Sequence, residues 1–261
     1  MMDFKQQYGE WAVVAGASEG LGACYAEQLA ERGLHLVLVA RNADRLDALK
    51  NKLIQKYGVQ VKTLTLDLLH ISAAERIIEE TKGFEVGLLI FNAASSRVGA
   101  FHQHSIDEHL LEIEINVRVP LVLIHHFSKA MLNRKRGGIL LMSSLSAFQG
   151  SAYISTYAAG KAFQILLAEG LWEEWRSQNV DALVCVAGAI RTPTYIASKP
   201  RRERSMLEPA NVARDALVAL GKQPYVIPGF GNKMASFFMR HLLPRTWTIR
   251  LMGRILRDMY A

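Results

Sequence analysis

Short, almost continuously apolar runs alternate with longer helical stretches along most of this sequence, and this alternation limits the possible folds more than any other feature. Runs that stay apolar at successive positions are typical of parallel strands covered on both faces. The stretches between them, such as AEQLAERG and ADRLDALKNKLIQKYG, carry their charges on one side of a helix. Such an alternation requires right-handed crossovers and predicts an α/β fold with a doubly wound parallel sheet of about seven strands. The predicted strands are residues 11–16, 35–40, 61–67, 87–93, 137–144, 181–188 and 224–228.

The chain is predicted to form one domain, because its 261 residues contain no linker, repeat or low-complexity segment. We assign residues 1–229 to the sheet domain and residues 230–261 to a C-terminal amphipathic helical extension of it. Cys24 and Cys185 lie in apolar runs, which favours a reduced, intracellular protein. The polar N-terminus and the lack of an apolar run of about 18 residues favour the cytoplasm.

The first predicted strand leads into the turn GASEGLG and then into a helix. Glycine allows a tight turn and a close approach of the backbone to a pyrophosphate, whose charge the start of a helix stabilises. The turn therefore predicts a dinucleotide site in a Rossmann-like sheet, although a purely structural turn remains an alternative. Its predicted cofactor-binding residues are Gly16, Ser18, Gly20, Leu21 and Gly22.

The residues after the second and third strands bear on the choice of cofactor. No acidic residue ends the second strand, where one would bind the ribose 2′-hydroxyl of NAD, and Arg41 offers a guanidinium to a 2′-phosphate instead. NADP(H) is therefore favoured, although a solvated Arg41 and an acidic Glu19 in the turn leave NAD(H) open. Asp67 is a candidate acceptor for the adenine amino group or, equally, the N-cap of the next helix.

A tyrosine and a lysine four residues apart suggest the chemistry. Tyr157 and Lys161 lie in STYAAGKAFQILLAEGLWEEW, which we interpret as an amphipathic helix with both side chains on one face. A nearby ammonium favours the phenolate, so Tyr157 becomes a usable acid or base near neutral pH. Ser144, at the end of the preceding strand, is placed to hydrogen-bond a substrate carbonyl. Taken alone, a Tyr–Lys pair on a helix would more often be incidental.

Together these motifs resemble the short-chain dehydrogenase/reductase family in its compact single-domain branch, with some likeness to 3-ketoacyl reductases and hydroxysteroid dehydrogenases. The glycine pattern, the FNAA segment, Asn116, Ser144 and the YxxxK pair appear in the family's order. The resemblance implies that Tyr157 is the acid/base, that Lys161 also binds the nicotinamide ribose and that Ser144 orients the carbonyl. Asn116 would hold a water that links the lysine to solvent. Further cofactor contacts implied by the resemblance are Asn92, Ala93, Ile190 and Thr192.

The leading functional hypothesis is therefore an NADPH-dependent reductase of a lipophilic carbonyl compound, whether a ketone, a 3-ketoacyl group or a steroid. The alternative is a cofactor-binding regulatory or scaffold protein that has lost catalysis, but such proteins usually lose the tyrosine or the lysine. The resemblance makes residues 192–209 a lid over the substrate, with Tyr195, Ile196, Met206 and Leu207 as its apolar side chains. A solvated basic loop, centred on residues 199–204, is the alternative for this segment.

The expected partners are a small carbonyl or alcohol substrate and further copies of the chain, as a homodimer or homotetramer. The family resemblance implies that the helix beginning near Asp107 and the Tyr157 helix form the interface between copies. The net charge of +7 is not accompanied by a nucleic-acid motif. No metal is expected, because His102, His104, His125 and His126 lack acidic or cysteine partners at ligand spacing.

In the C-terminal tail, residues 230–261, Pro244 separates two helical segments. The stripe Trp247, Leu251, Ile255 and Met259, flanked by arginines, predicts either contact with a membrane surface or packing on the core, beside the substrate cleft, or against a partner subunit.

Overall fold

The computed structural model describes residues 4–197 and 206–260. Within these residues seven strands form one parallel sheet. The strands are β1 (Trp11–Ala15), β2 (His35–Ala40), β3 (Val61–Thr65), β4 (Val86–Phe91), β5 (Gly137–Ser144), β6 (Val180–Ala187) and β7 (Tyr225–Val226). Their order across the sheet is β3-β2-β1-β4-β5-β6-β7, which confirms the doubly wound fold predicted from the apolar runs.

Helices cover both faces of the sheet. Their bounds are α1 (Phe4–Tyr8), α2 (Gly20–Glu31), α3 (Ala43–Tyr57), α4 (Ala73–Glu80), α5 (Ile106–Ile113), α6 (Val119–Asn133), α7 (Ser155–Trp175), α8 (Pro193–Ala197), α9 (Pro209–Ala219), α10 (Phe230–His241) and α11 (Arg245–Tyr260). One core contains side chains of α2, α3 and α9, and the other contains those of α4, α6 and α7. The strands between the two cores are buried on both faces, which explains why their sequences do not alternate.

The strand order reverses between β1 and β4, each of which pairs with the other and with one outward neighbour. In open sheets of this kind a crevice forms at the reversal, outside the carboxyl ends of the strands. The turn after β1 and the segment after β4 meet here: the amides of Asn92 and Ala93 both donate to the carbonyl oxygen of Ala15 at 3.0 Å. The topology therefore fixes where a ligand site lies.

The long helix expected near Asp107 begins at Ile106, after a capping box of Ser105 and Glu108. It is interrupted by a single π-helical turn, Glu114–Arg118, before continuing as α6. A π-turn inserts one extra residue per turn and is frequent at functional sites. This turn places Asn116 in the interior of the protein.

The tail forms two helices on either side of Pro244, as predicted. The Thr248 hydroxyl of α11 donates to the carbonyl of Met239 in α10 at 3.1 Å, which joins the two helices. None of the helices in the described parts of the chain has both the length and the apolar character needed to cross a membrane.

Candidate active site

A cleft of about 1020 Å³ opens at the carboxyl edge of the sheet. Most of the predicted site residues line it, namely Gly16, Ser18, Leu21, Arg41, Asp67, Asn92, Ala93, Ser144, Tyr157, Lys161, Ile190 and Thr192. Gly20, Gly22 and Asn116 are not part of its lining. The structure thus brings the two predicted ends of the site, nucleotide and catalytic, into one continuous cleft.

The glycine turn depends on close packing as well as on backbone conformation. Gly16 has a φ of +81°, and a Cβ there would lie 2.8 Å from the amide nitrogen of Ala93. A Cβ on Gly22 would lie 1.8 Å from the carbonyl oxygen of Gly16. The side-chain amide of Asn92 donates to that same oxygen at 2.9 Å, so Asn92 fixes the turn. This cradle, directly before the start of α2, fits the pyrophosphate of a dinucleotide.

Charged side chains flank the end of the cleft beside β2. Arg41 and Arg45 are exposed, and Arg45 forms an ion pair with Glu19, the residue before α2. Asn42 caps α3 by accepting from the amide of Arg45 at 2.8 Å, which orients this turn of the helix. Sequence reasoning missed Arg45, although its spacing of four residues from Arg41 could have indicated it. The ion pair neutralises the carboxylate that argued against NADP(H).

Asp67 lies in the cleft wall, and its carboxylate accepts from the amide of Leu69 at 3.0 Å. The strand it was assigned to ends earlier, at Thr65, because the chain turns around this contact. The N-cap interpretation of Asp67 is wrong, since α4 begins at Ala73 and Ser72 holds the N-cap position. The position of Asp67 remains compatible with a contact to the adenine.

At the other end of the cleft, α7 carries Tyr157 and Lys161 one turn apart, with the lysine Nζ 5.8 Å from the centre of the tyrosine ring. The bounds predicted for this helix are correct, but it is not amphipathic. Its buried side includes Lys161 and Gln164, whereas Leu166 is 70% exposed. Polar groups turned inward on an apolar helix are typical of a functional site rather than of a packing face.

Ser144 ends β5 and faces the same cleft. Its Oγ accepts from the hydroxyl of Ser146 at 2.9 Å and from the amide of Ser146 at 3.3 Å. These two contacts orient the oxygen and leave the hydrogen of Ser144 for another acceptor. The neighbouring Ser143 donates from its hydroxyl to the carbonyl of Lys161 at 2.8 Å, which fastens α7 to β5.

Lys161 is almost fully buried, with 2% of its surface exposed. Its Nζ donates to the carbonyl of Met142 at 2.7 Å and to Oε1 of Gln164 at 3.2 Å. Burial penalises the ammonium and lowers the pKa of Lys161 to about 7. Two acceptors therefore hold the Lys161 side chain in place, while burial destabilises its charged form.

Asn116 is fully buried in the π-turn between α5 and α6. Its side-chain amide donates to the carbonyl of Ser95, in the segment after β4, at 2.8 Å. Its main-chain carbonyl accepts from Nε2 of Gln164 at 2.9 Å. The resemblance implied that Asn116 holds a water linking the lysine to solvent, which stays a prediction; the structure shows that the Gln164 amide contacts both Lys161 and the Asn116 carbonyl. Sequence reasoning missed Gln164, and its spacing of three residues from Lys161 was the signal available.

The far wall of the cleft comes from α11, which contributes Met252, Ile255, Leu256 and Met259. The predicted stripe therefore does not form one exposed face. Met259 is 8% exposed and lies in the cleft, whereas Trp247, three turns earlier, is 63% exposed. The interpretation of the tail as a helix packed beside the substrate cleft is correct for its last turns.

The predicted lid is described at its two ends. Tyr195 lines the cleft, Ile196 is exposed, and the bridge between Ile190 and Leu207 closes the base of the segment. The basic stretch at residues 199–204 lies outside the described residues. Within residues 4–197 and 206–260, no group of three or more His, Cys, Asp and Glu side chains is arranged to hold a metal ion.

Sequence comparison identifies the family to which this chain belongs. Residues 10–203 match the family model described as short chain dehydrogenase. A 7β-hydroxysteroid dehydrogenase of Clostridium sardiniense is 31% identical over 89% of this chain and 90% of its own length. A very-long-chain 3-oxoacyl-CoA reductase of Neurospora crassa is 35% identical over 82% of this chain and 64% of its own.

Solved structures agree with this result. A structure of a 7β-hydroxysteroid dehydrogenase superposes with a TM-score of 0.90 at 27% identity, covering 96% of this chain and 99% of the other. A short-chain dehydrogenase from Sphingobium yanoikuyae in complex with NADPH gives a TM-score of 0.78 at 29% identity, over 85% of this chain and 88% of the other. The first of these matches extends over the tail as well as the sheet.

Proposed function

The chain belongs to the short-chain dehydrogenase family, and from this membership we propose that it reduces a carbonyl group on a lipophilic substrate at the expense of NADPH. The observation that carries the lipophilic part of the proposal is the apolar wall that α11 adds to the cleft that Ser144 and Tyr157 line. The hydroxysteroid dehydrogenase and 3-oxoacyl-CoA reductase likenesses support two substrate types, a steroid ketone and a 3-oxoacyl thioester. A rigid steroid ketone is favoured, because a 7β-hydroxysteroid dehydrogenase structure superposes on 96% of this chain with a TM-score of 0.90.

In the proposed mechanism, the hydroxyl of Ser144 donates a hydrogen bond to the substrate carbonyl oxygen and so fixes its position. Tyr157 donates its proton to that oxygen as the carbonyl becomes an alcohol. Bound NADPH supplies the hydride that reaches the carbonyl carbon. Lys161, near the tyrosine ring, favours the tyrosinate that remains and would also hold the nicotinamide ribose of the bound cofactor.

At the nucleotide end, the glycine turn, Asn92 and Ala93 would hold the pyrophosphate and its ribose. Arg41, with Arg45 beside it, would bind the 2′-phosphate. Asp67 would accept from the adenine amino group, and Ile190 and Thr192 would contact the carboxamide. These assignments follow from the cleft lining together with the family resemblance.

Two surfaces suggest assembly and location. We propose a homodimer, or a tetramer built from it, through α5, α6 and α7, which expose Ile106, Leu110, Ile113, Leu121 and Leu166.

We also propose a cytoplasmic protein that contacts a membrane surface through α10 and the start of α11. These helices expose Phe237, Phe238 and Trp247 and also carry arginines.

The function is tested with the purified protein by NADPH fluorescence titration followed by turnover assays. The carbonyl panel contains a 7-oxosteroid, a 3-oxoacyl-CoA and a small hydrophilic ketone. We expect tight NADPH binding and turnover of the lipophilic compounds alone. Tight binding with no turnover of any compound would support the catalytically silent alternative.

A further inference from the structure

We propose that Gln164 is a positioning residue for the Tyr157–Lys161 pair, because its amide holds the Lys161 ammonium and ties it to the main-chain carbonyl of Asn116. The inference deepens the proposed function and rests on it for the role of the pair in catalysis. The contacts themselves belong to the protein without cofactor. Gln164 thereby joins the catalytic helix α7 to the π-turn across the interior.

The geometry fixes the orientation of the Gln164 amide. Its Oε1 accepts from Lys161 Nζ at 3.2 Å, and its Nε2 donates to the Asn116 carbonyl at 2.9 Å. The reversed amide would turn its NH₂ group toward an ammonium and its oxygen toward a carbonyl, so both contacts would become repulsive. Gln164 is fully buried, so water does not offer either group a substitute partner.

The contacts of Lys161 show what this orientation achieves. An ammonium has three hydrogens, and two of them point to Met142 and Gln164. The third is left for the side of the cleft, where Tyr157 is the titratable group that faces it. The other elements against the lysine present polar groups without charge, namely the Met142 carbonyl and Ser143 hydroxyl of β5 and Asn116 of the π-turn.

Gln164 also offsets part of the desolvation penalty of the buried Lys161 ammonium. Burial alone lowers the pKa of Lys161, whereas an acceptor on the ammonium favours the charged form. An apolar side chain would fill the same interior position without the desolvation of an amide. A fully buried glutamine that is satisfied on both ends by catalytic-site groups therefore indicates a role in setting the lysine's charge and position.

The direct test is NMR titration of the lysine ¹³Cε signals in the cofactor-free, full-length protein, with the Lys161 signal identified by its loss in Lys161→Met. Gln164→Leu removes the acceptor and should lower the measured pKa of Lys161 by about one unit, since hydrogen bonds to charged groups are of that size. Gln164→Glu keeps the size of the side chain, loses the donor to the Asn116 carbonyl and places a carboxylate beside the ammonium, so it should raise that pKa by about one unit or more. Gln149→Leu, at another buried glutamine, is the matched control and should leave the signal unchanged.

An unchanged Lys161 titration in folded Gln164→Glu protein would overturn the inference, whether or not Gln164→Leu folds. Kinetics provide the second readout. The rate of NADPH-dependent reduction should decline at alkaline pH as Lys161 loses its proton. The pH of this decline should be lower in Gln164→Leu and higher in Gln164→Glu. If the parent protein reduces no carbonyl compound, the proposed function fails. The NMR titration then still decides the role of Gln164 at Lys161.

Discussion

The backbone of Gly160 lies directly against the side chain of Asn116: a Cβ at residue 160 would come within 2.9 Å of Asn116 Cβ. This contact brings the catalytic helix α7 and the π-turn close enough for Gln164 to reach the Asn116 carbonyl. The absence of a side chain at residue 160 is therefore a geometric requirement of the site.

Gly160→Ala should separate the two elements and lower both stability and turnover. Overpacking of this kind costs about 1–3 kcal/mol, which exceeds the gain of up to about 1 kcal/mol from alanine's higher helix propensity. Gly170→Ala is the matched control in the same helix, because nothing lies within 4 Å of a Cβ there. We expect the control to be as stable as the parent or more so, measured by urea unfolding. A stabilised, fully active Gly160→Ala would contradict this account.

Tyr157→Phe should reduce turnover to less than a few per cent of the parent while NADPH binding survives. The phenyl ring keeps the shape of the residue and removes the proton donor proposed for the carbonyl oxygen. Steady-state kinetics and cofactor fluorescence measure the two properties separately. Tyr225→Phe, outside the cleft lining, controls for the loss of a tyrosine hydroxyl. Substantial residual activity in Tyr157→Phe would show that another group supplies the proton.

Cofactor choice should respond to the charges at the end of β2. Arg41→Ala should weaken NADPH binding by about 1.5–3 kcal/mol, as expected for a hydrogen bond to a charged group, and leave NADH binding nearly unchanged. Glu19→Gln removes the carboxylate paired with Arg45 and should strengthen NADPH binding more than NADH binding. Fluorescence titrations with NADPH and with NADH measure the affinity of each variant for each cofactor against that of the parent. Equal losses for both cofactors in Arg41→Ala would refute the 2′-phosphate assignment.

Burial of Lys161 should also make stability depend on pH. Between about pH 7 and about pH 10.5 the folded protein has lost this proton while the unfolded chain still binds it. Stability therefore rises with pH in this window, relative to Lys161→Met, in which the titration is absent. Urea unfolding of both proteins at pH 7 and pH 9.5 measures the difference, with Lys129→Met as the control at an exposed lysine. If the difference in unfolding free energy between the parent and Lys161→Met is the same at both pH values, Lys161 keeps its proton in the folded protein.

Contact of the tail with a membrane is tested by flotation with liposomes. The full chain should float with anionic vesicles at low salt, be released by high salt, and float less with neutral vesicles. Trp247→Glu should weaken flotation, whereas Val218→Glu, which adds the same charge at an exposed apolar position on α9, should not. If the parent fails to float with anionic vesicles at low salt, the exposed residues of α10 and α11 serve another contact.

Much of the fold was predictable because its signals are local. The apolar run of β5 and the helical pattern of α7 gave correct bounds, and the cluster of glycines after β1 marks a tight turn in the sequence itself. Asp67 was ambiguous because an acidic residue after a strand suits both a cap and a ligand contact. Gln164, the π-turn and the Glu19–Arg45 ion pair depend on which elements meet in space. Spacing along a helix could place Arg45 near Arg41 and Gln164 near Lys161, but it does not tell which group of another element each side chain meets.

The position of α11 separates two properties of the enzyme along its chain. The proposed catalytic groups lie within residues 116–161, whereas α11 adds apolar side chains to the cleft from residues 252–259, beyond the matched family segment at residues 10–203. Exchange of the last thirty or so residues between relatives could therefore alter which ketones are accepted without disturbing the proton-transfer machinery. Substrate range and reaction chemistry would then depend on different segments of this chain.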